Sequence, residues 1–326
     1  MSEIACFGEA LIDFLAAPPR RAGEPWHYLQ HAGGAPANTA VAVARLGGSV
    51  SFLGMLADDP FGDFLLGALV AAGVGVEGVR RTQDGQTALA FVCLDLAGER
   101  SFRFYGDRGA HLLFRPDDFL PTAFDSLKLF HMGSNTLTRP ASYESTRSGL
   151  LQARAAGAWI SMDLNLRPAL WPDVHTMRTT VEGILPDVHI LKMSRDELAC
   201  MAESTGSSER WIGHYLACTA RLVLVTDGGR PISFFTRERR GIVPAWPVKI
   251  RDATAAGDAF SGGLLCLIAE AVKQGDGIER WLEAPEALES ALRFAAACGA
   301  LAVTRIGSFD AMPERGEVEA FLEDRT

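Results

Sequence analysis

Lysine is scarce in this chain of 326 residues, and basic runs are absent. Only Lys128, Lys192, Lys249 and Lys273 occur, and the net charge is −9. An acidic chain without a basic stripe excludes nucleic acid as a main partner. None of the lysines follows a glycine, so the chain has no phosphate-binding loop of the G-x-x-x-x-G-K-[ST] type.

Other familiar signatures of catalysis and binding are missing as well. No H-R-D or D-F-G set is present, which excludes a protein kinase, and there is no G-x-S-x-G nucleophile elbow. No G-x-G-x-x-G follows the first apolar segment, which argues against a dinucleotide-binding fold.

The cysteines and the N-terminus carry no sign of export or of membrane insertion. The six cysteines lie far apart without a C-x-x-C pair, which is typical of buried free thiols in a reducing cytoplasm. The N-terminus lacks a basic segment followed by an apolar one, and the apolar run at 264–272 is too short to span a bilayer. We therefore expect a cytoplasmic protein without a membrane partner.

Strand-like and helix-like patterns alternate along most of the chain. The strand-like segments are 4–7, 50–55, 127–132, 159–163, 188–192 and 222–226. Such alternation predicts an α/β fold, in which a mostly parallel central sheet carries helices on both faces. Asp13 is expected near the carboxyl end of the first strand.

Two segments, at about 14–30 and 87–105, interrupt this alternation. The second reads as a hairpin whose strands, 87–95 and 100–105, are joined across 95–98. We expect both segments to form a small antiparallel β-sheet beside the main one, as a lid. The chain 1–326 is then one domain with these lid insertions.

A junction between an extended segment and a helix stands out at residues 252–263. Its sequence is Asp-Ala-Thr-Ala-Ala-Gly-Asp-Ala-Phe-Ser-Gly-Gly. A helix start offers unpaired N–H groups and the positive end of the helix dipole, which suits an anion, and small side chains allow close approach. Asp258, in the first turn, can accept a proton from an attacking hydroxyl. The alternative is an ordinary helix start with an acidic residue near its cap.

Three separated segments now resemble one family. Gly33-Gly34-Ala35-Pro36-Ala37-Asn38 and the 252–263 stretch are similar to the two signature regions of the ribokinase-like (PfkB-type) carbohydrate kinases. Asp163-Leu164-Asn165-Leu166-Arg167-Pro168, with Leu170-Trp171, resembles the fructokinase and 2-keto-3-deoxygluconate kinase branches. The similarity extends from about residue 4 to residue 307.

This resemblance implies a ribokinase-like fold and an ATP- and Mg²⁺-dependent sugar kinase. Asp258 matches the catalytic base, and the N–H groups of Ala255, Ala256, Gly257 and Asp258 match the anion hole for the transferred phosphoryl group. Sugar-contacting positions fall on Asp13, Gly33, Gly34, Asn38, Tyr105 and Arg167. For Asp163, a structural role and a role on the sugar side stay equally open.

The same resemblance assigns the nucleotide side and the ions. Nucleotide positions fall on Glu197, Thr226, Gly228, Thr254, Gly257 and Ala297, although plain helix packing explains Ala297 equally well. Glu197 is expected to hold Mg²⁺ through water, and Asp252 to lie at a site for a monovalent cation such as K⁺. The family also implies a homodimer formed through the lid.

The sequence departs from the family pattern at five positions, one of which is Pro231, where the nucleotide-side T-x-G motif has a later glycine. Ala253 and Ala255 replace Thr and Gly in D-T-x-G-A-G-D, and Ser194 replaces the Asn of N-x-x-E. In the lid, Gly106 stands where an arginine is common, and an acidic sugar would need that arginine for its carboxylate. Fructose is therefore the favoured substrate, although Arg103 or Arg108 could bind a carboxylate in place of that arginine. A 2-keto-3-deoxygluconate kinase and a sugar-binding regulator with weakened catalysis are the alternatives.

Overall fold

Two β-sheets organise the chain in the computed structural model, which describes residues 2–17, 25–94, 100–273 and 277–325. The strands in these ranges are β1 (Ile4–Phe7), β2 (Leu11–Ala17), β3 (His27–Gly33), β4 (Val50–Ala57), β5 (Val79–Thr82), β6 (Leu89–Leu94), β7 (Arg100–Tyr105), β8 (Leu129–Gly133), β9 (Trp159–Asp163), β10 (Ile190–Ser194), β11 (Leu222–Asp227), β12 (Arg230–Phe235) and β13 (Arg240–Val243). The α-helices are α1 (Ala35–Arg45), α2 (Pro60–Ala71), α3 (Pro140–Ala155), α4 (Val174–Ile184), α5 (Arg195–Ala202), α6 (Ser208–Ala217), α7 (Ala256–Lys273), α8 (Ile278–Glu283), α9 (Pro285–Ala302) and α10 (Arg315–Glu323).

The main sheet has the order β13-β12-β11-β10-β9-β8-β1-β4-β5 over the described strands. From β11 to β5 all neighbours are parallel, and β12 and β13 add an antiparallel edge. Both faces are buried: Ile4 and Cys6 of β1 join one core, with α1, α7 and α9, while Ala5 and Phe7 join the other, with α3, α4 and α6. This alternation along the strand is what a two-sided sheet requires, and it confirms the predicted α/β fold class.

The small sheet has the order β3-β2-β6-β7, and two expectations about it are wrong. It is mixed rather than antiparallel, because β2 pairs with β6 in parallel while β3 and β7 flank them antiparallel. Asp13 belongs to β2 of this sheet and not to the end of the first strand. Residues 18–24 of the first lid segment and the predicted hairpin turn at 95–98 lie outside the described residues.

The antiparallel edge of the main sheet was not predicted. β12 and β13 are short, and Arg240 and Ile242 are exposed while Ile232, Phe234 and Val243 are buried. Edge strands of this kind have a weak apolar pattern because one face meets solvent. The short strand β5 was not predicted either, because all its residues are half-buried and give no clear apolar pattern.

The cysteines agree in part with the expectation of buried thiols. Cys6, Cys266 and Cys298 are free and buried, whereas Cys218 is free and exposed. Within the described ranges, no helix combines the length and apolarity needed to cross a membrane.

Candidate active site

The site lies where the N-termini of α1 and α7 meet, beside the carboxyl ends of the parallel strands. Asn38, in the first turn of α1, donates a hydrogen bond from Nδ2 to Oδ2 of Asp258 over 2.7 Å, and both side chains are buried. The helices approach closely because residue 262 is a glycine. A Cβ on Gly262 would lie 2.5 Å from the Cβ of Ala42. The two predicted signature segments are thus joined directly at their polar residues.

Asp258 holds its proton far more tightly than an ordinary aspartate. Burial and the negative charge of Asp163 raise its pKa to about 7, against the Asn38 hydrogen bond and the positive charges of Lys192 and Arg167. A general base is most effective when its pKa lies near the working pH. The environment therefore adjusts Asp258 for proton transfer at neutral pH.

The backbone entering α7 has a strained residue at the predicted anion hole. Ala255 has φ 60°, in the left-handed region that glycine normally occupies. Its carbonyl accepts the first α-type hydrogen bond, from the N–H of Ala259 at 2.9 Å. The N–H groups of Ala256, Gly257 and Asp258 precede that bond, at the positive end of the helix dipole. Ala255 thus adopts a conformation that glycine normally occupies, despite its methyl group.

Asp13 lies against Gly33 of the neighbouring strand in the small sheet. A Cβ on Gly33 would lie 2.1 Å from Oδ2 of Asp13, and Gly34, at φ 106°, would place a Cβ 2.5 Å from the carbonyl oxygen of Glu9. Asp13 is buried and accepts a 2.8 Å hydrogen bond from Oγ of Ser308. Burial raises its pKa to about 6, which that bond partly offsets. The absence of side chains at the two glycines thus lets the Asp13 carboxylate and the Glu9 backbone pack closely at this turn.

An open pocket of about 270 Å³ lies between the lid and the main sheet. Phe104 of the lid, Glu9, Asn135 and Trp171 are among its lining residues. Asn135 donates to Glu9 over 3.0 Å, while Oε2 of Glu9, Oδ1 of Asn135 and Nε1 of Trp171 are buried without a protein partner. Buried polar atoms of this kind are usually satisfied by a ligand or water. The pocket is therefore suited to hydroxyl groups.

The lid residues around this pocket divide into two groups. The ring of Phe104 lies directly against Gly106, and a Cβ at Gly106 would be 2.2 Å from that ring. Tyr105 is 62% exposed and its ring contacts Phe91 at 5.5 Å between centroids, on the aromatic face of the lid. Tyr105 as a sugar contact stays a prediction.

Glu197 has a clear structural role in addition to its predicted one. It forms a capping box with Ser194 at the start of α5, accepting from the Ser194 N–H at 2.7 Å. Its other oxygen accepts from the N–H of Leu166 at 2.6 Å, which holds the loop that carries Arg167. The S-x-x-E spacing is a known signal for such a cap, so Ser194 is explained as a cap residue.

Asp252 connects the entrance of α7 to a loop near the C-terminus. It is buried, and its oxygens accept from the N–H groups of Thr254 at 2.9 Å and Gly307 at 3.1 Å. The next residue, Ser308, is the one that holds Asp13. Adjacent residues of one loop thus hold two predicted site carboxylates.

Three further predicted nucleotide positions lie at the end of β11, in the turn after it and in α9. Thr226, at the end of β11, donates to the carbonyl of Met193 over 3.3 Å, and Gly228 has φ 54° in the following turn. Ala297 is completely buried in the core, so packing accounts for it and its nucleotide role stays a prediction. Within the described ranges, no three His, Cys, Asp or Glu side chains form a group that could hold a metal by themselves.

Lys192 is a site residue that sequence reasoning missed. It is the only lysine or arginine buried among the described residues, and its Nζ lies 2.5 Å from Oδ2 of Asp163. Burial lowers its pKa, but the charges of Asp163, Asp258 and Glu197 outweigh this and the pKa is raised. The signal was a lysine inside the apolar strand Ile190–Ser194, since buried lysines are rare unless paired.

Comparisons with known proteins agree over the whole chain. The profile of the pfkB family carbohydrate kinases matches residues 1–315. Probable fructokinase-3 of Arabidopsis thaliana is 38% identical over 326 residues, which cover 99% of this chain and 92% of that protein. The fructokinase with bound ATP from Xylella fastidiosa is 44% identical with a TM-score of 0.91, covering 100% of this chain and 99% of that one. A fructokinase double mutant from Vibrio cholerae O395, bound to fructose, ADP and potassium ion, is 31% identical with a TM-score of 0.86, covering 99% and 98%.

Proposed function

This chain belongs to the PfkB family of carbohydrate kinases, and on that premise we propose that it is an ATP-dependent fructokinase that produces fructose 6-phosphate. The family predicted from the two signature segments is confirmed. The observation that carries the proposal is the buried Asp258 in the first turn of α7, held by Asn38 and adjusted to a pKa of about 7.

Asp258 acts as the base in this proposal. It takes the proton of the fructose 6-hydroxyl as that oxygen attacks the γ-phosphorus of ATP. A new C–O–P linkage forms, the bond from the γ-phosphorus to the β,γ-bridging oxygen breaks, and ADP leaves. The N–H groups of Ala256, Gly257 and Asp258 stabilise the charge on the transferred group, since phosphoryl transfer depends mainly on positioning and charge stabilisation.

In this proposal the sugar is placed by residues of the small sheet and of α1. Asp13 and Asn38 provide hydrogen-bond partners for sugar hydroxyls, while Gly33 and Gly34 make room for the Asp13 carboxylate and the Glu9 backbone. The guanidinium of Arg167 lies close enough to lower the pKa of both Asp13 and Asp258, a position that suits contact with sugar and phosphate. The lid then excludes water, which would otherwise compete as acceptor.

Fructose is favoured over an acidic sugar by the lid. Gly106 provides no cation for a carboxylate, and Phe104 covers it. The fructokinase relatives, at 38% and 44% identity, support the same choice. We therefore rank 2-keto-3-deoxygluconate below fructose.

Metal ions are proposed to enter with the nucleotide. Mg²⁺ usually binds through one or two carboxylates, waters and substrate phosphates, and the half-buried Glu197 can accept a metal-bound water beside its backbone contacts. When bound, Mg²⁺ neutralises charge on the β- and γ-phosphates. A monovalent cation near Asp252 is proposed by likeness to the potassium-bound relative.

The lid is also the proposed dimer surface of this single kinase domain. Tyr28, Leu29 and Phe104 are exposed on it, and apolar rings of this kind are common at interfaces. Sedimentation of wild type against L29D tests this, and an unchanged molecular mass in the variant would argue against the lid. We also propose a cytoplasmic enzyme, since ATP is a cytoplasmic substrate and buried free thiols persist there.

A sugar panel with Asp258→Asn is the decisive experiment. Wild type is expected to show the highest kcat/KM with fructose, and D258N to lose at least 1,000-fold in kcat while still binding fructose. A preference for 2-keto-3-deoxygluconate would reverse the substrate assignment. Fructose binding in calorimetry without ATP consumption by wild type would indicate a regulator instead, and substantial turnover by D258N would refute the base.

A further inference from the structure

A buried ammonium group lies directly behind the proposed anion hole. A Cβ added to Gly257 would lie 2.9 Å from Nζ of Lys192, so the ammonium group lies against the turn that carries the N–H groups of the proposed anion hole. Lys192 projects from β10 next to Asp163 of β9, its register partner in the parallel sheet. Its contact with the hole is therefore set by rigid elements.

We propose that Lys192 is a catalytic residue that stabilises the phosphoryl group during its transfer, with Asp163 as its positioning residue. This inference rests on the proposed kinase function and assigns a role to two residues of the same site. It also resolves the open choice for Asp163, which holds the lysine rather than the sugar.

The charge around Lys192 explains why the ammonium is available to an anion. Asp163, Asp258 and Glu197 raise its pKa, so it stays protonated although burial opposes the charge. The facing group on β8, His131, has its pKa lowered to about 4 by burial and stays neutral, so it adds no competing charge. The ammonium has three donors, and the bond to Asp163 uses one of them, so two donors remain for other acceptors.

During phosphoryl transfer, the ammonium group of Lys192 provides a positive charge where negative charge develops. As the sugar oxygen bonds to the γ-phosphorus and the bond to the β,γ-bridging oxygen breaks, the equatorial oxygens carry the charge. Asp258 takes the hydroxyl proton, and Lys192 keeps its own protons throughout. A fixed ammonium requires no reorganisation at that moment. It also supplements a hole whose entrance is the strained Ala255.

Lys192→Met tests the proposal because methionine matches the four-atom stem of the lysine side chain and removes the ammonium group. With whichever sugar wild type phosphorylates, K192M is expected to lose at least 100-fold in kcat with the sugar KM within threefold. Binding of ADP with fluoroaluminate, which mimics the transferred group, should weaken at least 100-fold, and ADP alone within threefold. The exposed Lys128→Met is the matched control and should match wild type in each measurement.

A merely structural lysine would behave differently in a double variant. Removing Lys192 alone leaves Asp163 as a buried unpaired charge, whereas D163N/K192M leaves neither charge. If Lys192 only neutralises Asp163, the double variant should recover kcat to within tenfold of wild type, and this result would overturn the proposal. We expect it to stay as slow as K192M. Should K192M fail to fold, the double variant supplies the measurement.

The outcome is separable from the proposed function. If wild type transfers phosphate to no sugar, the fructokinase proposal fails, while fluoroaluminate binding still measures the effect of Lys192. Equal weakening of ADP and ADP–fluoroaluminate in K192M would refute a specific role at the transferred group.

Discussion

Replacing Ala255 with glycine relieves a strain that the backbone of this site carries. Ala255 has φ 60°, and only one other described non-glycine residue, Asn165, has a positive φ. The left-handed conformation brings the Cβ of an L-residue too close to the following carbonyl oxygen. Glycine has no Cβ, so A255G should keep the same backbone without that contact.

Two opposing effects set the magnitude. The left-handed conformation costs an alanine roughly 1–2 kcal/mol, which A255G recovers. Glycine makes the unfolded chain more flexible, which destabilises by about 0.4–1 kcal/mol. The free energy of unfolding should therefore rise by about 0.5–1 kcal/mol. For 326 residues the unfolding entropy is roughly 0.7 kcal/mol/K, so Tm should rise by about 1 °C.

Ala253→Gly provides the matched control in the same loop. Ala253 is exposed and has no positive φ, so A253G receives only the flexibility penalty and its Tm should fall by about 1 °C. Scanning calorimetry should therefore show Tm shifts of opposite sign for A255G and A253G. The kcat of A255G should stay within threefold of wild type or rise. A Tm for A255G that falls as far as that of A253G would refute the strain argument.

Three further predictions concern the carboxylates of the site. Because burial raises the pKa of Asp258 to about 7, kcat/KM should rise between pH 6 and pH 8. N38A removes a hydrogen bond to the charged form of Asp258, so it should move the midpoint of this rise to higher pH. An N38A profile with an unshifted midpoint would contradict this. The pKa of Asp258 is about 7 in the folded protein and 3.8 in the unfolded chain, so the free energy of unfolding falls as the pH rises between these values. D258N does not show this loss and should therefore have a higher Tm than wild type at pH 8 but not at pH 3.5. S308A removes a hydrogen bond to Asp13 worth about 1 kcal/mol, so KM for fructose should rise roughly fivefold with kcat nearly unchanged; a changed kcat with an unchanged KM would place Ser308 elsewhere in the reaction.

Local patterns were enough to predict the strands β1, β4 and β8 to β11 of the main sheet, but not its edge strands β5, β12 and β13 or the geometry of the small sheet. The buried strands Ile4–Phe7 and Trp159–Asp163 read as apolar runs because both faces of the sheet are covered. Nothing in the local pattern states which neighbour a strand takes. The parallel pairing of β2 with β6, and the position of Asp13 in β2, depend on residues about 75 positions apart.

The site residues divide in the same way. Asp258 was found because it lies in a contiguous small-residue segment at a helix start, whereas Asn38 was assigned by the resemblance of its segment to a family signature. Lys192 and Ser308 act through contacts between distant elements, to Asp163 and to Asp13, which no spacing rule connects. A charged residue inside an apolar strand was the one available signal for Lys192, and Ser308 had none.

The charge balance of the site gives the physical reason to expect a divalent metal. Asp13, Asp163 and Asp258 are buried near two positive groups, Lys192 and Arg167, and negative charge raises the pKa of Asp258. Glu197 adds another carboxylate beside them. The polyphosphate of ATP would bring more negative charge into this low-dielectric region, where unpaired charges are strongly unfavourable. The proposed anion hole and Lys192 are assigned to the transferred group, so we expect a cation that arrives with the nucleotide to neutralise the charge of the other phosphates.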